Sequence, residues 1–371
     1  MITTRAEISL DALRYNFGQV KKRVGQHVRV MGIVKANAYG HGLLEISGEM
    51  ARLGVDCLGV GFLQEGVELR KNDIRVPILV LGGVLGSQIR EFLNYDLQIT
   101  VASTEIADHI EQEAARLAGG KAVVHLKVDT GMERIGVHPE HAVEFVQHVC
   151  RLPHIEVKGI YSHFATADEA DKSFSRVQLH RFESVLEGVR KAGIEIPLVH
   201  IANTGAVLDI QNSYYGMVRP GLLLYGVYPS HETTESIPVR PVLSLKSKVV
   251  FVKSVTAGTG VSYGRKYVTP KNTKIATVPI GYGDGFSRRL TGRAEVLMSG
   301  RRFPVVGAVC MDQLMVDVGP DASVHVGDDV VLVGSSGSET IPAWEVARHM
   351  ETTPYEVLTG IAARVPRVIV N

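Results

Sequence analysis

The sequence predicts an α/β protein: an N-terminal (β/α)8 TIM barrel followed by a C-terminal mostly-β domain. Three observations carry that prediction. Between residues 28 and 226, short β-branched apolar runs alternate with amphipathic stretches rich in Glu, Lys, Arg, Ala and Leu. The apolar runs number eight. After Val242 the rhythm changes to strand-like runs broken by glycine turns. Strands that are apolar throughout and separated by helical segments imply a parallel sheet covered by helices, and eight such units over about 200 residues match a barrel in count and size. A doubly wound sheet is the alternative reading of the same rhythm.

In chain order, residues 4–10 alternate like a strand and residues 11–24 read as a helix. That leading strand stands a whole helix before the barrel, so it is expected to join the C-terminal sheet. The eight candidate barrel strands are 28–34, 57–62, 77–81, 97–101, 123–128, 157–162, 198–202 and 217–225. A polar, aperiodic stretch at 228–236 marks a boundary, which predicts a barrel domain at 11–233 and a β domain at 234–371 joined by strand 1–10. In the second half, residues 244–252 alternate and 330–333 are apolar throughout, both patterns of antiparallel strands. Only 341–350, with Pro342 near its start, reads there as a helix.

Composition narrows the function. At 371 residues, with 45% hydrophobic and 21% charged, the chain can bury large cores, and disorder is excluded. Forty basic against 39 acidic residues leave a net charge of +1, with no basic block of the kind that binds nucleic acid or an anionic membrane. The three cysteines, Cys57, Cys150 and Cys310, are far apart and form no metal or disulfide framework, which fits a reducing compartment. Residues 1–7 lack a signal pattern, and no apolar run nears the length of about 18 that spans a membrane. A cytoplasmic location is therefore expected.

Barrel active sites form at the C-terminal ends of the strands. The polar residues there are Lys35, Asn37 and Tyr39; Lys127, Asp129 and Arg134; His163; Asn203 and Thr204, with His200 inside their strand; and Arg219, followed by Gly221 and Leu222. Cations outnumber carboxylates, and no Asp, Glu and His cluster has metal-ligand spacing, so no metal is expected and an anionic ligand is. Lys35 follows the apolar run Val30-Met31-Gly32-Ile33-Val34. A lysine so placed either snorkels to solvent or, desolvated and neutral, is a nucleophile suited to a Schiff base with a carbonyl compound such as pyridoxal phosphate. The turns at Asn203-Thr204-Gly205 and Gly221-Leu222 offer amides and a hydroxyl to a phosphate.

Val34-Lys35-Ala36-Asn37-Ala38-Tyr39-Gly40-His41-Gly42 resembles the pyridoxal-phosphate signature of alanine racemases, the fold-type III amino-acid racemases. The resemblance continues at 127–136, 163–168, Arg219-Pro220-Gly221, 261–264, 281–285, 307–312, Tyr355-Glu356 and Arg364-Val365-Pro366-Arg367, in order and across both domains. It implies a pyridoxal-phosphate-dependent racemase of alanine that supplies D-alanine for peptidoglycan. It also implies a head-to-tail homodimer with shared active sites.

By that resemblance Lys35 carries the cofactor and is the base on one face of the substrate Cα, with Tyr263 of the partner subunit on the other. One side chain cannot serve both faces of a fixed planar centre. Arg219 is implied at the pyridine nitrogen, where an arginine keeps its proton and weakens the ring as an electron sink. Arg134 is implied at the phenolic oxygen and the substrate carboxylate. Lys127 is implied as a carbamylated lysine that steadies Arg134. His163 and Asn203 fall beside the ring, and Tyr39, Thr204, Gly221, Leu222 and Tyr355 around the phosphate. Met311 offers its N–H to the substrate carboxylate, and Tyr282 with Tyr355 narrows the side-chain pocket. Thr204 stands where serine is common and Gly283 where alanine is usual; neither change removes a needed group. The alternatives are a broad-specificity or serine racemase on the same framework, and a decarboxylase of the same architecture. The decarboxylase requires a carboxylate where Arg219 stands.

Overall fold

A computed structural model describes residues 3–117 and 121–371 of the chain. Of the expected leading strand, residues 1 and 2 lie outside the described residues. The chain divides into two compact units. One consists of 14–38 and 43–239; the other gathers 1–13, 39–42 and 240–371.

The leading strand β1 (Arg5–Ser9) precedes a helix at Leu10–Val24. The first unit then holds eight parallel strands: β2 (Arg29–Ile33), β3 (Cys57–Val60), β4 (Ile78–Val80), β5 (Gln98–Val101), β6 (Ala122–Lys127), β7 (Ile155–Tyr161), β8 (Leu198–His200) and β9 (Met217–Val218). They pair in the order β9-β2-β3-β4-β5-β6-β7-β8. Register runs through Arg29↔Met217, Met31↔Cys57, Leu58↔Ile78, Leu79↔Gln98, Thr100↔His125, Leu126↔Ile160 and Ile160↔Val199. Between the end strands, Gly216 N–H donates to Val199 C=O (3.1 Å) and Arg219 N–H to Ala202 C=O (2.9 Å). The sheet is thus nearly closed, which rules out the doubly wound alternative.

The sequence explains the strands. Cys57–Val60 and Ile78–Val80 are buried at every position, as parallel strands covered on both faces must be. Covering helices such as Pro139–Cys150, with proline at its first turn, and Ser173–Lys191 bury one face each. The eighth strand is shorter than the expected 217–225: it stops at Val218, and Leu222–Tyr225 form a 3-10 turn. Pro220 has no N–H to give a ladder and Gly221 is weakly extended, so the ladder breaks there. Inside the barrel, a Cβ at Gly159 would stand 2.5 Å from Nδ1 of His125, so only glycine leaves room for that ring.

The second unit contains β10 (Leu243–Lys248), β11 (Phe251–Val255), β12 (Gly260–Val261), β13 (Tyr267–Val268), β14 (Thr273–Val278), β15 (Glu295–Met298), β16 (Arg301–Val306), β17 (Leu314–Asp317), β18 (Asp329–Ser336), β19 (Glu339–Ile341) and β20 (Arg367–Val370). Its main sheet runs β11-β14-β17-β16-β15-β18-β10-β1-β20, with β19 on β18. β1 lies antiparallel to β10 (Ala6↔Leu245) and parallel to β20 (Ile8↔Ile369). The alternating run expected at 244–252 is two strands, β10 and β11, set far apart in the sheet. The helix expected at 341–350 spans Ala343–Met350, and a second helix, Pro354–Thr359, follows it. Among the described residues, no helix is long and apolar enough to cross a membrane, and no His, Cys, Asp or Glu group could hold a metal ion.

Candidate active site

The barrel gathers cations at the ends of its strands. Lys35 follows β2 after Val34, and its amine has no hydrogen-bond or ion-pair partner among the described residues. Burial, and after it the charge of Arg134, hold that amine below the ordinary lysine value, with Glu65 opposing. The turn after Lys35 is left-handed: Ala36, Asn37, Ala38 and Tyr39 all have φ between 52° and 55°. Residues with a Cβ adopt this at roughly 1–2 kcal/mol each, so the turn must be held from outside. Asn37 Oδ1 accepts the Leu43 N–H (2.8 Å), and Glu65 Oε1 accepts that of Ala36 (2.6 Å).

Lys127, at the end of β6, is 3% exposed. Its amine donates to Val128 C=O (3.1 Å) and lies 5.0 Å above the Tyr161 ring. Burial first and Arg219 second push it down to about 7, with Asp129 opposing and Arg134 adding. Asp129 does not pair with these cations. Its Oδ1 accepts the N–H groups of Gly131, Met132 and Glu133, and its Oδ2 that of Arg134. The carboxylate thereby shapes the loop that presents Arg134, whose guanidinium is without a partner among the described residues.

Arg219, after β9, is 3% exposed. It donates from Nη1 to His200 Nδ1 (2.8 Å), and from Nη2 to the carbonyls of Ser162 (2.8 Å) and Ile201 (3.1 Å) and to His163 Nδ1 (3.1 Å). A guanidinium only donates, so His200 accepts at Nδ1 and donates from Nε2 to His125 Nδ1, 2.9 Å away. Both rings are neutral. Burial, then Arg219, push His125 down to about 3 and His200 well below its usual value. The same causes act on His163. Burial lowers Arg219 itself to about 10, which leaves it charged at neutral pH. No carboxylate pairs with it among the described residues, and its Nε–H has no partner among them.

The expected phosphate segments also meet. Asn203 caps the helix Thr204–Asp209 by accepting the Ala206 N–H, and the Thr204 hydroxyl accepts the N–H of Gly221 (2.9 Å). Gly221 therefore gives its amide to Thr204. The N–H groups of Thr204, Gly205 and Leu222 find no partner among the described residues and remain available to an anion. A Cβ on Gly205 would lie 2.6 Å from the Ala167 carbonyl oxygen, so the close approach of these loops requires glycine.

The remaining residues belong to the β unit. Tyr39 packs its ring on Tyr355 (5.8 Å), and burial pushes the Tyr39 phenol up. Tyr282 and Met311 sit on two loops stitched by Tyr282 N–H to Cys310 C=O (3.0 Å) and Gly283 N–H to Met311 C=O (2.9 Å). Arg364 bridges the same loops through Asp284 (2.7 Å) and Asp312 (2.8 Å). Tyr263 lies in the turn between β12 and β13; it is 72% exposed, Met311 53% and Tyr282 42%. The residues named from sequence thus form two sets, one in each unit. Sequence reasoning missed Tyr161, His125 and Glu65. Tyr161 ends β7 and was open to the strand-end rule; the other two act through partners distant in sequence.

A nearly closed barrel that gathers a desolvated amine and further cations at its strand ends has the arrangement of an enzyme site. Residues 8–229 match the family model "Alanine racemase, N-terminal domain", and residues 242–369 match "Alanine racemase, C-terminal domain". The alanine racemase of Halothermothrix orenii is 46% identical over 368 residues, covering 99% of this chain and 97% of the relative. A solved alanine racemase from Clostridium difficile 630 superposes with a TM-score of 0.95 at 40% identity, covering 100% of this chain and 96% of that one. A histidine racemase from Leuconostoc mesenteroides subsp. sake does so with a TM-score of 0.92 at 29% identity, covering 100% and 98%. The chain belongs to the alanine racemase family and is an amino-acid racemase.

Proposed function

We propose that this racemase interconverts L- and D-alanine, with pyridoxal 5'-phosphate carried on Lys35 and shared active sites in a head-to-tail homodimer. The observation that carries the reading is the set of cations at the strand ends, Lys35, Lys127, Arg134 and Arg219, beside N–H donors left open at Thr204, Gly205 and Leu222. These residues fit the cofactor. Thr204, Gly205 and Leu222, with Tyr39 and Tyr355, would hold the phosphate, and Gly221, its amide already given to Thr204, would only position that hydroxyl; His163 and Asn203 would hold the ring, Arg219 the ring nitrogen and Arg134 the phenolic oxygen.

When bound, the cofactor supplies an electron sink that acidifies the substrate Cα–H. Lys35 Nζ, its proton affinity lowered by burial and Arg134, takes or returns the Cα proton on one face. The phenol oxygen of Tyr263 of the partner subunit does so on the other. Arg219, which keeps its own proton, would sit at the ring nitrogen as a hydrogen-bond donor and not as a proton source, which would temper the electron sink the cofactor supplies. Arg134 and the Met311 N–H fix the substrate carboxylate, and Tyr282 limits the side chain.

Lys127, with an amine near pKa 7, is neutral often enough to add carbon dioxide, forming an N-carboxylysine and releasing one proton. The resulting anion pairs with Arg134 and relieves the repulsion among the cations. The product D-alanine would serve peptidoglycan synthesis in the cytoplasm. The histidine racemase neighbour supports a second reading, in which this framework accepts larger amino acids.

The test is a visible absorption spectrum of the purified protein, borohydride fixation with peptide mapping, and circular-dichroism decay of L-alanine, L-serine, L-lysine and L-histidine. Cofactor fixed to Lys35 with fastest decay for alanine is expected. A visible band without decay of any of the four contradicts the activity, and no band contradicts the cofactor.

A further inference from the structure

We infer that Glu65, a residue outside the set that touches cofactor or substrate, is a positioning residue for Lys35, holding the backbone beside it and balancing its charge. Glu65 lies in the first turn of the helix Leu63–Lys71 that follows β3. Its two oxygens face different loops. Oε2 accepts the N–H groups of Gly61 (2.8 Å) and Phe62 (3.3 Å), the ordinary reach of an N3 glutamate back over its own helix start. Oε1 leaves that helix and accepts the N–H of Ala36 at 2.6 Å, across 29 residues of sequence. One half-buried carboxylate thus ties the loop after β3 to the residue that follows Lys35.

That tie falls where the backbone most needs it. Ala36 opens the left-handed turn, at φ 54° and ψ 53°, and its N–H points to no backbone carbonyl. An alanine in this conformation leaves it readily unless an acceptor fixes the N–H. The lysine stem runs past the same spot: a Cβ built on Gly61 would stand 3.5 Å from Lys35 Cβ. The groups that bear on the Lys35 amine are Arg134 from the loop after β6, His163 from the loop after β7, and Glu65. Arg134 disfavours the protonated amine, His163 is neutral, and Glu65 is the one that favours it. Glu65 therefore has two separable effects, an anchor that depends on reach and a charge that sets the pH at which the amine becomes neutral.

This inference rests on the reading that Lys35 carries pyridoxal phosphate, and the two fail differently. Full-length wild type, Glu65→Gln and Glu65→Ala are stripped of cofactor with hydroxylamine, and uptake of pyridoxal phosphate is followed by absorbance from pH 6 to 10, with release measured by gel filtration. Glu65→Gln, which keeps one acceptor oxygen, carries no charge and turns its NH2 toward one of the two loops, should lower the pH midpoint of uptake by about one unit, the scale of one close opposite charge, with release between those of wild type and Glu65→Ala. Glu65→Ala should show the same lowered midpoint and release at least tenfold faster. Unchanged midpoints and unchanged release, in variants that melt like wild type, overturn the role of Glu65. Fast release without a midpoint shift overturns its charge effect and leaves only a structural cap. If Glu65→Ala fails to fold, the midpoint in Glu65→Gln alone decides. No uptake by wild type overturns the reading of Lys35 itself, and this inference with it.

Discussion

Replacing Asp129 by asparagine should impair catalysis far more than its distance from the substrate suggests. The carboxylate accepts four backbone N–H groups, three at Oδ1 and the Arg134 N–H at Oδ2. Asparagine keeps one oxygen for the first three and turns an amide NH2 toward the fourth. A donor then faces a donor, and one hydrogen bond to a charged group is lost, worth about 1.5–3 kcal/mol. If that cost falls wholly on the placement of Arg134, kcat/KM for alanine drops by about 10- to 150-fold. Global stability should change less, because the loop N–H groups can turn to water. Against burial, which raises it, the four bonds together hold the Asp129 carboxyl below its ordinary value, so its stabilising contribution is complete above the unfolded value of about 3.9. It is lost only as pH falls through the still lower folded value. Asp129→Asn should accordingly narrow the difference from wild type in urea midpoints at the most acid pH that leaves the fold intact. Racemisation kinetics at pH 7, with urea titrations at pH 7 and at pH 3 or below, measure both effects. A variant with wild-type kcat/KM at pH 7 would refute the claim that Asp129 sets Arg134.

Three further outcomes are expected. If Lys127 is carbamylated, carbon-dioxide-free buffer should lower kcat/KM at least threefold and bicarbonate should restore it, while Lys127→Ala responds to neither. An unmodified amine near 7 would instead make stability rise between pH 7 and about 10, because the unfolded chain binds a proton the folded one lacks; urea midpoints discriminate. Lys35→Ala and Tyr263→Phe homodimers should each lose nearly all activity, and mixing them should restore one competent site per mixed dimer; mixed dimers verified by mass that stay inactive argue against shared sites. Gly205→Ala would set a Cβ 2.6 Å from the Ala167 carbonyl oxygen and should weaken pyridoxal phosphate binding about tenfold in absorbance titration. Unchanged affinity would mean that this loop does not carry the phosphate.

The barrel was legible in the sequence because each of its strands is an apolar run too short for a buried helix and bounded by a helical pattern. What local pattern lacks is pairing. Residues 244–252 contain no glycine or proline to mark a turn, yet β10 joins β1 while β11 ends the sheet beside β14, a choice made by partners distant in sequence. The helix Pro354–Thr359 is shorter than two turns and leaves no period to detect. At the site, lysines and arginines at strand ends were visible because their residue type and position coincide. The left-handed turn was hidden, since Ala36-Asn37-Ala38-Tyr39 contains no glycine to announce positive φ. Glu65 was hidden for the same reason that the turn survives: its role is written in a hydrogen bond to another loop.

The position of β1 between β10 and β20 fixes an order of events during synthesis. A ribosome that has released Ile8 must still make more than two hundred residues before Leu243, and over a hundred more before Ile369, its two neighbours in the finished sheet. The intervening barrel pairs each strand with its near neighbours in sequence, apart from β9 returning to β2, so it can mature on the ribosome while β1 waits without a partner. Damage to β1, or to the last residues, should accordingly yield a folded barrel with an unfinished second unit, recognisable as a protease-resistant core rather than as an unfolded chain.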